Sequence, residues 1–161
     1  MHILDNTVLS NFAHIRRPDL LRLALPEAAV VSHVLAEMET GVASGRIPSC
    51  NWHWLTQITL SLTEQTRFED IKTHLGIGEA ASLAVALERN NPDTPITFFS
   101  DDRDARHYAQ RHNLTVSGTL GVLALLITQN HLTLTQANTH LQEMIACGYH
   151  APVASLDDLI A

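Results

Sequence analysis

The chain has 161 residues, the size of one folded domain, and 45% of them are apolar, enough for a sizeable core. A formal net charge of −7 excludes a general nucleic-acid coat protein, which would be strongly basic, but not an enzyme that holds its substrate through a metal ion. Asp5 interrupts any N-terminal apolar run, no apolar stretch could span a bilayer, and Cys50 and Cys147 fit no paired pattern, so we expect a cytoplasmic protein.

The first sixty residues alternate between short apolar segments and segments with helical spacing. Val8, Phe12 and Ile15 fall on one side of a helix, Pro18 stands where a second helix can begin, and Ser32 suits an N-cap. The predicted order is strand 2–5, helix 7–15, helix 18–25, strand 28–31, helix 33–43 and strand 57–60.

The rest of the chain continues the alternation. Two successive helices are separated by the sequence GIG, and the last two helices follow one another directly. The predicted order is helix 63–75, helix 78–90, strand 96–99, helix 102–112, strand 114–117, helix 119–127 and helix 135–146.

Short apolar strands with helices between them indicate parallel pairing through right-handed crossovers. We therefore expect an α/β fold, a three-layer sandwich with a central, mostly parallel sheet, and a single domain over residues 1–161. In such folds the ligand crevice lies at the carboxyl ends of the strands. Asp5 ends the first predicted strand, and Asp101 and Asp102 follow the fourth.

Asp5 is expected to be partly buried, because it ends what would be a central strand. A partly buried carboxylate needs a partner, and no Lys or Arg lies within ten residues on either side. Helix capping is an alternative, although Asn6 or Thr7 could cap as well. A metal ion is one partner that suits this position.

Asp101, Asp102 and Asp104 stand within four positions, where like charges repel and raise one another's pKa. Helix capping explains one or two of them: Asp101 can cap the next helix, and Asp104 suits its first turn. Asp102 can also pair with Arg106, four residues on. Capping does not explain why acids also stand at the ends of other segments.

Two further acidic positions fall on predicted helices. Glu37 and Glu39 flank the apolar stripe of helix 33–43 at similar angles, so the periodicity does not choose between them. Glu79 opens helix 78–90, where the helix dipole alone favours a glutamate. Because that helix is almost wholly apolar, its N-terminus is expected near the end of the sheet.

Acids at four segment starts, with few basic partners, predict a divalent-cation site. Carboxylates prefer hard ions such as Mg²⁺ or Mn²⁺, and such clusters usually serve phosphoryl chemistry. The ten histidines do not favour zinc, because no HExxH occurs and His107 and His112 do not share a helix face.

Five motifs, in this order, resemble the PIN-domain family and in particular the VapC-type toxin ribonucleases: ILDNTVLSNF, VVSHVLAEM, LGIGEAASLAVAL, FFSDDRDARHYA and VSGTLGVLALLI. The tail MIACGYHAPVASLDDLIA also resembles one PIN branch, so that the resemblance covers nearly the whole chain. It implies a PIN-like fold and metal-dependent hydrolysis of RNA, with Mg²⁺ or Mn²⁺ as the cofactor.

The resemblance also implies roles for individual residues, and it chooses Glu37 over Glu39. The catalytic and metal-holding acids would be Asp5, Glu37, Glu79 and Asp102. Asp101 is expected to cap or support beside them and is included in the metal-binding set, whereas Asp104 is expected to face water. Polar residues around the first acid would be Asn6, Thr7 and Asn11.

The arginines near two of the helices are candidate phosphate contacts in RNA. They are Arg16, Arg17, Arg103 and Arg106. A solvated basic helix face is an alternative, and so is a docking site for an acidic segment of a partner. By resemblance the partners would be a cognate antitoxin and a second copy of the chain, with no membrane.

Two alternatives from other classes stay open. A PIN fold that binds RNA or protein without cutting could carry the same acids but would lack a tight divalent site. An aspartate-based phosphatase also places aspartates after strands, but it usually has a lysine late in the chain. Here Lys72, on a middle helix, is the only lysine.

Overall fold

Five short strands form one sheet in the computed structural model, which describes residues 1–160. They are β1 (His2–Leu4), β2 (Ala28–Val31), β3 (Thr56–Ile58), β4 (Thr97–Phe99) and β5 (Thr115–Ser117). Every neighbouring pair is parallel, and the order across the sheet is β3-β2-β1-β4-β5. β1 is therefore the central strand, and the chain leaves it first toward one edge and later toward the other.

Nine helices lie within the described residues. They are α1 (Asn6–His14), α2 (Pro18–Ala24), α3 (Ser32–Ala43), α4 (Leu62–Ile71), α5 (Ile77–Arg89), α6 (Arg103–Arg111), α7 (Thr119–Thr128), α8 (Leu134–Ala146) and α9 (Asp157–Ile160). The short α9 has no counterpart among the predicted elements.

Ser32 is the first residue of α3 and Val31 its N-cap, so the expectation that Ser32 caps this helix is wrong. No helix of residues 1–160 combines the length and apolar character needed to cross a membrane.

Two groups of helices cover the sheet. α4, α5 and α6 pack together, and α5 lies on β1, β2 and β4, whereas α1, α2, α7 and α8 pack against one another. All four residues of β2 are buried, as expected for a parallel strand covered on both faces. The predicted fold class, an α/β three-layer sandwich around a parallel sheet, is confirmed.

The N-termini of five helices gather at the carboxyl ends of the strands. α1, α3 and α7 begin within two residues of the strand before them, and α6 begins four residues after β4. α5 brings its own N-terminus to the same region because its body lies against the sheet. Ala80, Ala81 and Ala84 are fully buried there, and such small side chains allow a close approach of helix and sheet.

We predict that Leu83→Ala in α5 lowers the free energy of unfolding by about 2–5 kcal/mol, because Leu83 is fully buried and its loss leaves a cavity. Leu62→Ala is the matched control: Leu62 is 89% exposed, and the change should stay within about 0.5 kcal/mol. Urea unfolding of both variants checks this. Equal effects would mean that α5 is not part of the core.

Candidate active site

Four acidic side chains approach one another at this end of the sheet. Asp5 lies between β1 and α1, Glu37 on α3, Glu79 in the first turn of α5, and Asp102 at the N-cap of α6. Burial raises the pKa of Glu79 to about 7, and the negative charges of Asp5, Asp102 and Glu37 contribute to the rise. Asp5, Glu37 and Asp102 therefore lie within electrostatic reach of Glu79, although the four acids come from four separate elements.

Asp5 is the most buried of the four, with 1% of its surface exposed. Its Oδ2 accepts hydrogen bonds from Thr7 Oγ1 (3.0 Å) and Ser100 Oγ (2.9 Å), while Oδ1 is buried with no hydrogen-bond partner among the described residues. Burial raises the pKa of Asp5 to about 6, in spite of these hydrogen bonds. A buried carboxylate oxygen without a donor is costly, so the position favours a proton or a cation.

Glu37 reaches from α3 to the start of α5. Its Oε1 accepts a hydrogen bond from the Gly78 backbone N–H (2.9 Å), and Asn6 Nδ2 lies 3.5 Å from Oε2. A Cβ at position 78 would stand 2.5 Å from Oε2, so the glycine makes room for this carboxylate. Glu39, by contrast, is exposed on α3. The choice that the periodicity left open is thus made by packing, which turns Glu37 toward the other acids.

Glu79 is held by the backbone of its own helix start. Its Oε2 accepts a hydrogen bond from the Gly76 N–H (2.7 Å), and a Cβ at position 76 would stand 2.6 Å from that oxygen. The GIG sequence that separates α4 from α5 therefore provides two glycines, each of which admits one carboxylate. Only one oxygen of Glu79 is used in this contact.

Asp102 is the N-cap of α6, where Oδ1 accepts a hydrogen bond from the Ala105 N–H (2.8 Å). Of the two roles expected for Asp101, to cap or to support, capping is therefore wrong. Arg106 does not bond to Asp102 as considered from the sequence, because its Nη1 donates to the backbone carbonyls of Ser100 and Ser117, both at 2.8 Å. Arg106 thereby ties the end of β4 to the end of β5.

Asp101 uses both of its oxygens in hydrogen bonds within the protein. Oδ1 accepts hydrogen bonds from the Thr119 N–H (2.9 Å) and the Tyr149 hydroxyl (3.3 Å). Oδ2 accepts from Asn11 Nδ2 (3.0 Å) and Thr119 Oγ1 (2.5 Å). Burial, and then the Asp101 charge, raise the pKa of Tyr149. With four donors, Asp101 is better suited to join α1, α7 and the C-terminal segment than to bind a metal.

The three polar residues expected around the first acid lie against three different carboxylates. Thr7 donates to Asp5 and accepts a hydrogen bond from the Asp101 N–H (2.9 Å), whereas Asn11 bonds to Asp101 and not to Asp5. Asn6 lies next to Glu37.

Sequence reasoning missed several polar residues of this region. Ser100 is fully buried and donates to Asp5, and its place between an apolar strand and two aspartates was a usable signal. Thr119 and Tyr149 lie far along the chain from Asp101, and nothing in the local pattern pointed to them.

The four arginines expected to contact RNA are not gathered around the acids. Arg17 pairs with Asp19 (2.8 Å), and Arg103 lies 3.6 Å from Asp104. Arg16 is exposed beyond the C-terminal end of α1, the end remote from Asp5. Arg106 serves backbone carbonyls. Contacts between these arginines and RNA therefore stay a prediction.

The chemistry of the four acids fits a hard divalent cation, since all would offer carboxylate oxygens. Asp5 Oδ1 has no hydrogen-bond partner within residues 1–160, and the hydrogen bonds at Glu79 and Asp102 occupy one oxygen of each. Within residues 1–160, however, no three His, Cys, Asp or Glu side chains are already drawn together as a ligand set. The carboxylates would have to move inward around a cation, as expected where like charges otherwise repel.

A family model described as DUF3368: PIN domain matches residues 1–161. The comparisons with curated proteins and with solved structures found no match.

We predict that the metal-free protein loses stability as the pH rises. The pKa of Asp5 is about 6 when folded, against an ordinary value of 3.8, and that of Glu79 about 7 against 4.5, so the folded state binds protons more tightly. Their stabilising protonation is present at low pH and is lost as the pH rises toward 7. For Asp5 this amounts to about 1.4 kcal/mol between pH 5 and pH 8, measurable by urea unfolding in EDTA.

Asp5→Asn identifies the source of this pH dependence. It should flatten the slope and make the metal-free protein more stable than wild type at pH 8, since the buried charge is gone. Asp104→Asn, at an exposed position, should keep the wild-type slope. An Asp5→Asn profile parallel to that of wild type would contradict the assignment.

Proposed function

The chain belongs to the PIN-domain family, whose members are in general metal-dependent nucleases, and from this premise we propose that it is an endoribonuclease that hydrolyses RNA phosphodiester bonds. The observation that carries the proposal is the buried carboxylate of Asp5, whose Oδ1 has no partner among the described residues. Its charge acts on Glu79 together with those of Glu37 and Asp102. Repulsion among the four carboxylates lowers the stability of the fold, and a bound cation would relieve it.

We propose that Asp5, Glu37, Glu79 and Asp102 hold Mg²⁺ or Mn²⁺. When bound, the cation would lower the pKa of water and neutralise charge on the phosphate. Thr7 and Ser100 both donate to Oδ2 of Asp5, which leaves Oδ1 as the oxygen available for binding. Asp101 would act by positioning these elements, because four donors already occupy its oxygens.

Glu79 is the best candidate to accept a proton from attacking water. Its hydrogen bond occupies only Oε2, which leaves Oε1 to accept a proton, as a general base must. Its Oε2 is fixed by the Gly76 N–H, which holds the carboxylate at the start of α5.

We also propose that this ribonuclease is the toxin of a toxin–antitoxin pair that forms a homodimer. The proposal is supported by the resemblance of the five sequence motifs to VapC-type toxins. Induced expression should then stop growth of a bacterial host, Asp5→Asn should abolish the arrest, and the product of a neighbouring gene should relieve it. Normal growth with active, soluble wild-type protein would remove the toxin role without touching the nuclease.

We predict that wild-type protein cleaves a mixed pool of single-stranded RNA with Mg²⁺ or Mn²⁺ and that EDTA stops cleavage. Glu37→Gln should reduce the rate about 100-fold or more, because it removes one of the converging charges. Glu39→Gln, on the exposed side of the same helix, should cleave at the wild-type rate. Equal losses in both variants would refute the site, and a stable phosphoryl group on Asp5 would favour an aspartate-based phosphatase.

Metal binding can be measured apart from cleavage. We predict that millimolar Mn²⁺ raises the melting temperature of wild-type protein at pH 7.5, since a ligand of the folded state stabilises it. Asp5→Asn should abolish the rise, and Asp104→Asn should retain it. If Mn²⁺ has no effect on wild-type protein that still binds RNA, the non-catalytic binding module replaces the ribonuclease.

A further inference from the structure

A cleft of about 690 Å³ opens directly beside the acids. It runs between α1, α3, the loop after α3 and the start of α5. Glu37 and Asn6 belong to both the acid site and the cleft wall. Asn6 and His14, at the two ends of α1, both line it, which corresponds to about 12 Å along the helix. An occupant of the cleft would therefore extend to the acids.

Arg46 lines the cleft from a loop that the end of α3 holds in place. The Arg46 N–H donates to the Gly41 carbonyl (2.9 Å) and the Gly45 N–H to the Val42 carbonyl (3.0 Å), the paired bonds of a Schellman cap. Gly45 adopts the left-handed conformation that this cap requires (φ +75°). Ile47 then packs onto Gly41, where a Cβ would stand 2.5 Å from its Cδ1. The position of Arg46 is thus built into the fold.

The charge of Arg46 is not used by a carboxylate of the described residues. Its Nε donates to Ser44 Oγ (2.9 Å), which leaves both terminal amino groups available. Arg67 and Arg89, by contrast, are paired with Glu88 and Glu64 at 2.5 and 2.6 Å. An arginine fixed by its backbone and unpaired at its head suits a phosphate group.

The start of α5 adds an apolar contact to the same cleft. Ile77 lines it and is 57% exposed, which is unusual for a side chain of this size next to charged groups. It stands two residues before Glu79. An exposed isoleucine at this point offers a surface for the face of a nucleobase.

We propose that this cleft binds the RNA segment next to the scissile phosphodiester, with Arg46 on a phosphate and Ile77 against a base. This inference rests on the proposed ribonuclease function. RNA is favoured over an acidic protein segment because the cleft wall includes Glu37 of the acid site, so that a strand in the cleft would lie next to the proposed place of reaction. Arg46 thereby provides a local positive charge in a protein whose net charge is −7.

A second cleft with basic residues, lined by His74, His107 and Arg111, is a weaker candidate. Asp104 lines it too, and none of the four site acids does. The Arg111 guanidinium lies over the Tyr108 ring at 5.9 Å, so part of its binding capacity is already used.

The test is the affinity of a fluorescent single-stranded RNA 12-mer of mixed sequence for the protein, measured by anisotropy across a salt series. The Asp5→Asn background prevents cleavage. Arg46→Ala should weaken binding about 5- to 20-fold and reduce the slope of log K against log salt by about 0.7, as expected for one lost phosphate contact on a single strand. Arg22→Ala removes the same charge from an exposed position outside the cleft and should change affinity less than twofold.

Two further variants distinguish a lost RNA contact from a loss of folding. Arg46→Lys should recover part of the affinity, and Ile77→Ala should weaken binding with little change in salt slope, because it removes no charge. Melting temperatures show whether each variant is folded.

The failures are distinguishable. If wild-type protein cleaves RNA but Arg46→Ala binds it normally, the subsite is overturned, the ribonuclease stands, and the cleft is left to an acidic protein partner. Equal losses in Arg46→Ala and Arg22→Ala also overturn it, since they indicate unspecific attraction. If wild-type protein neither binds nor cleaves RNA, the subsite and the proposed function both fall.

Discussion

The arrangement of this protein depends on one costly group, the carboxylate of Asp5 at the end of the central strand. Nearly all of its surface is removed from water, and one oxygen lacks a donor among the described residues. No arginine or lysine of the described chain pairs with it, and the hydroxyl groups of Thr7 and Ser100 donate to its other oxygen. Burial without a cationic partner raises the pKa of Asp5 to about 6. A divalent cation bound beside it would stabilise the charged carboxylate.

The surrounding helices place further carboxylates near Asp5, although their charges repel one another. Gly76 and Gly78 admit the carboxylates of Glu79 and Glu37 to the start of α5, where backbone N–H groups receive them. Those donors, with the positive end of the helix, offset part of the repulsion while no cation is present. Asp101 has a different role, because it joins distant segments through four hydrogen bonds. It thereby holds the segment after β4, which bears Asp102.

An acidic protein that acts on RNA needs local positive charge near its site. The arginines that seemed suited by their spacing are paired, remote or bound to backbone carbonyls, as Arg17 and Arg106 illustrate. Arg46 lies in a loop without any recognisable motif, yet the cap of α3 and the packing of Ile47 set it into the cleft beside Glu37. In our proposal the acids and this cleft form one continuous surface: the acids catalyse the reaction, and the cleft beside them binds the RNA.

The sequence by itself determined the α/β class and the positions of the acids, because strand and helix periods, and acids at strand ends and helix starts, are local signals. Asp5 and Glu79 could be found in this way, whereas the preference for Glu37 over Glu39 came from family resemblance. Only the tertiary structure decided that Asp102 caps α6 and that Asp101 bonds to Asn11, ninety residues away along the chain. Such contacts depend on how helices pack against the sheet, which a local pattern does not encode. The same reason explains why the cleft, built from four separate segments, could not be predicted.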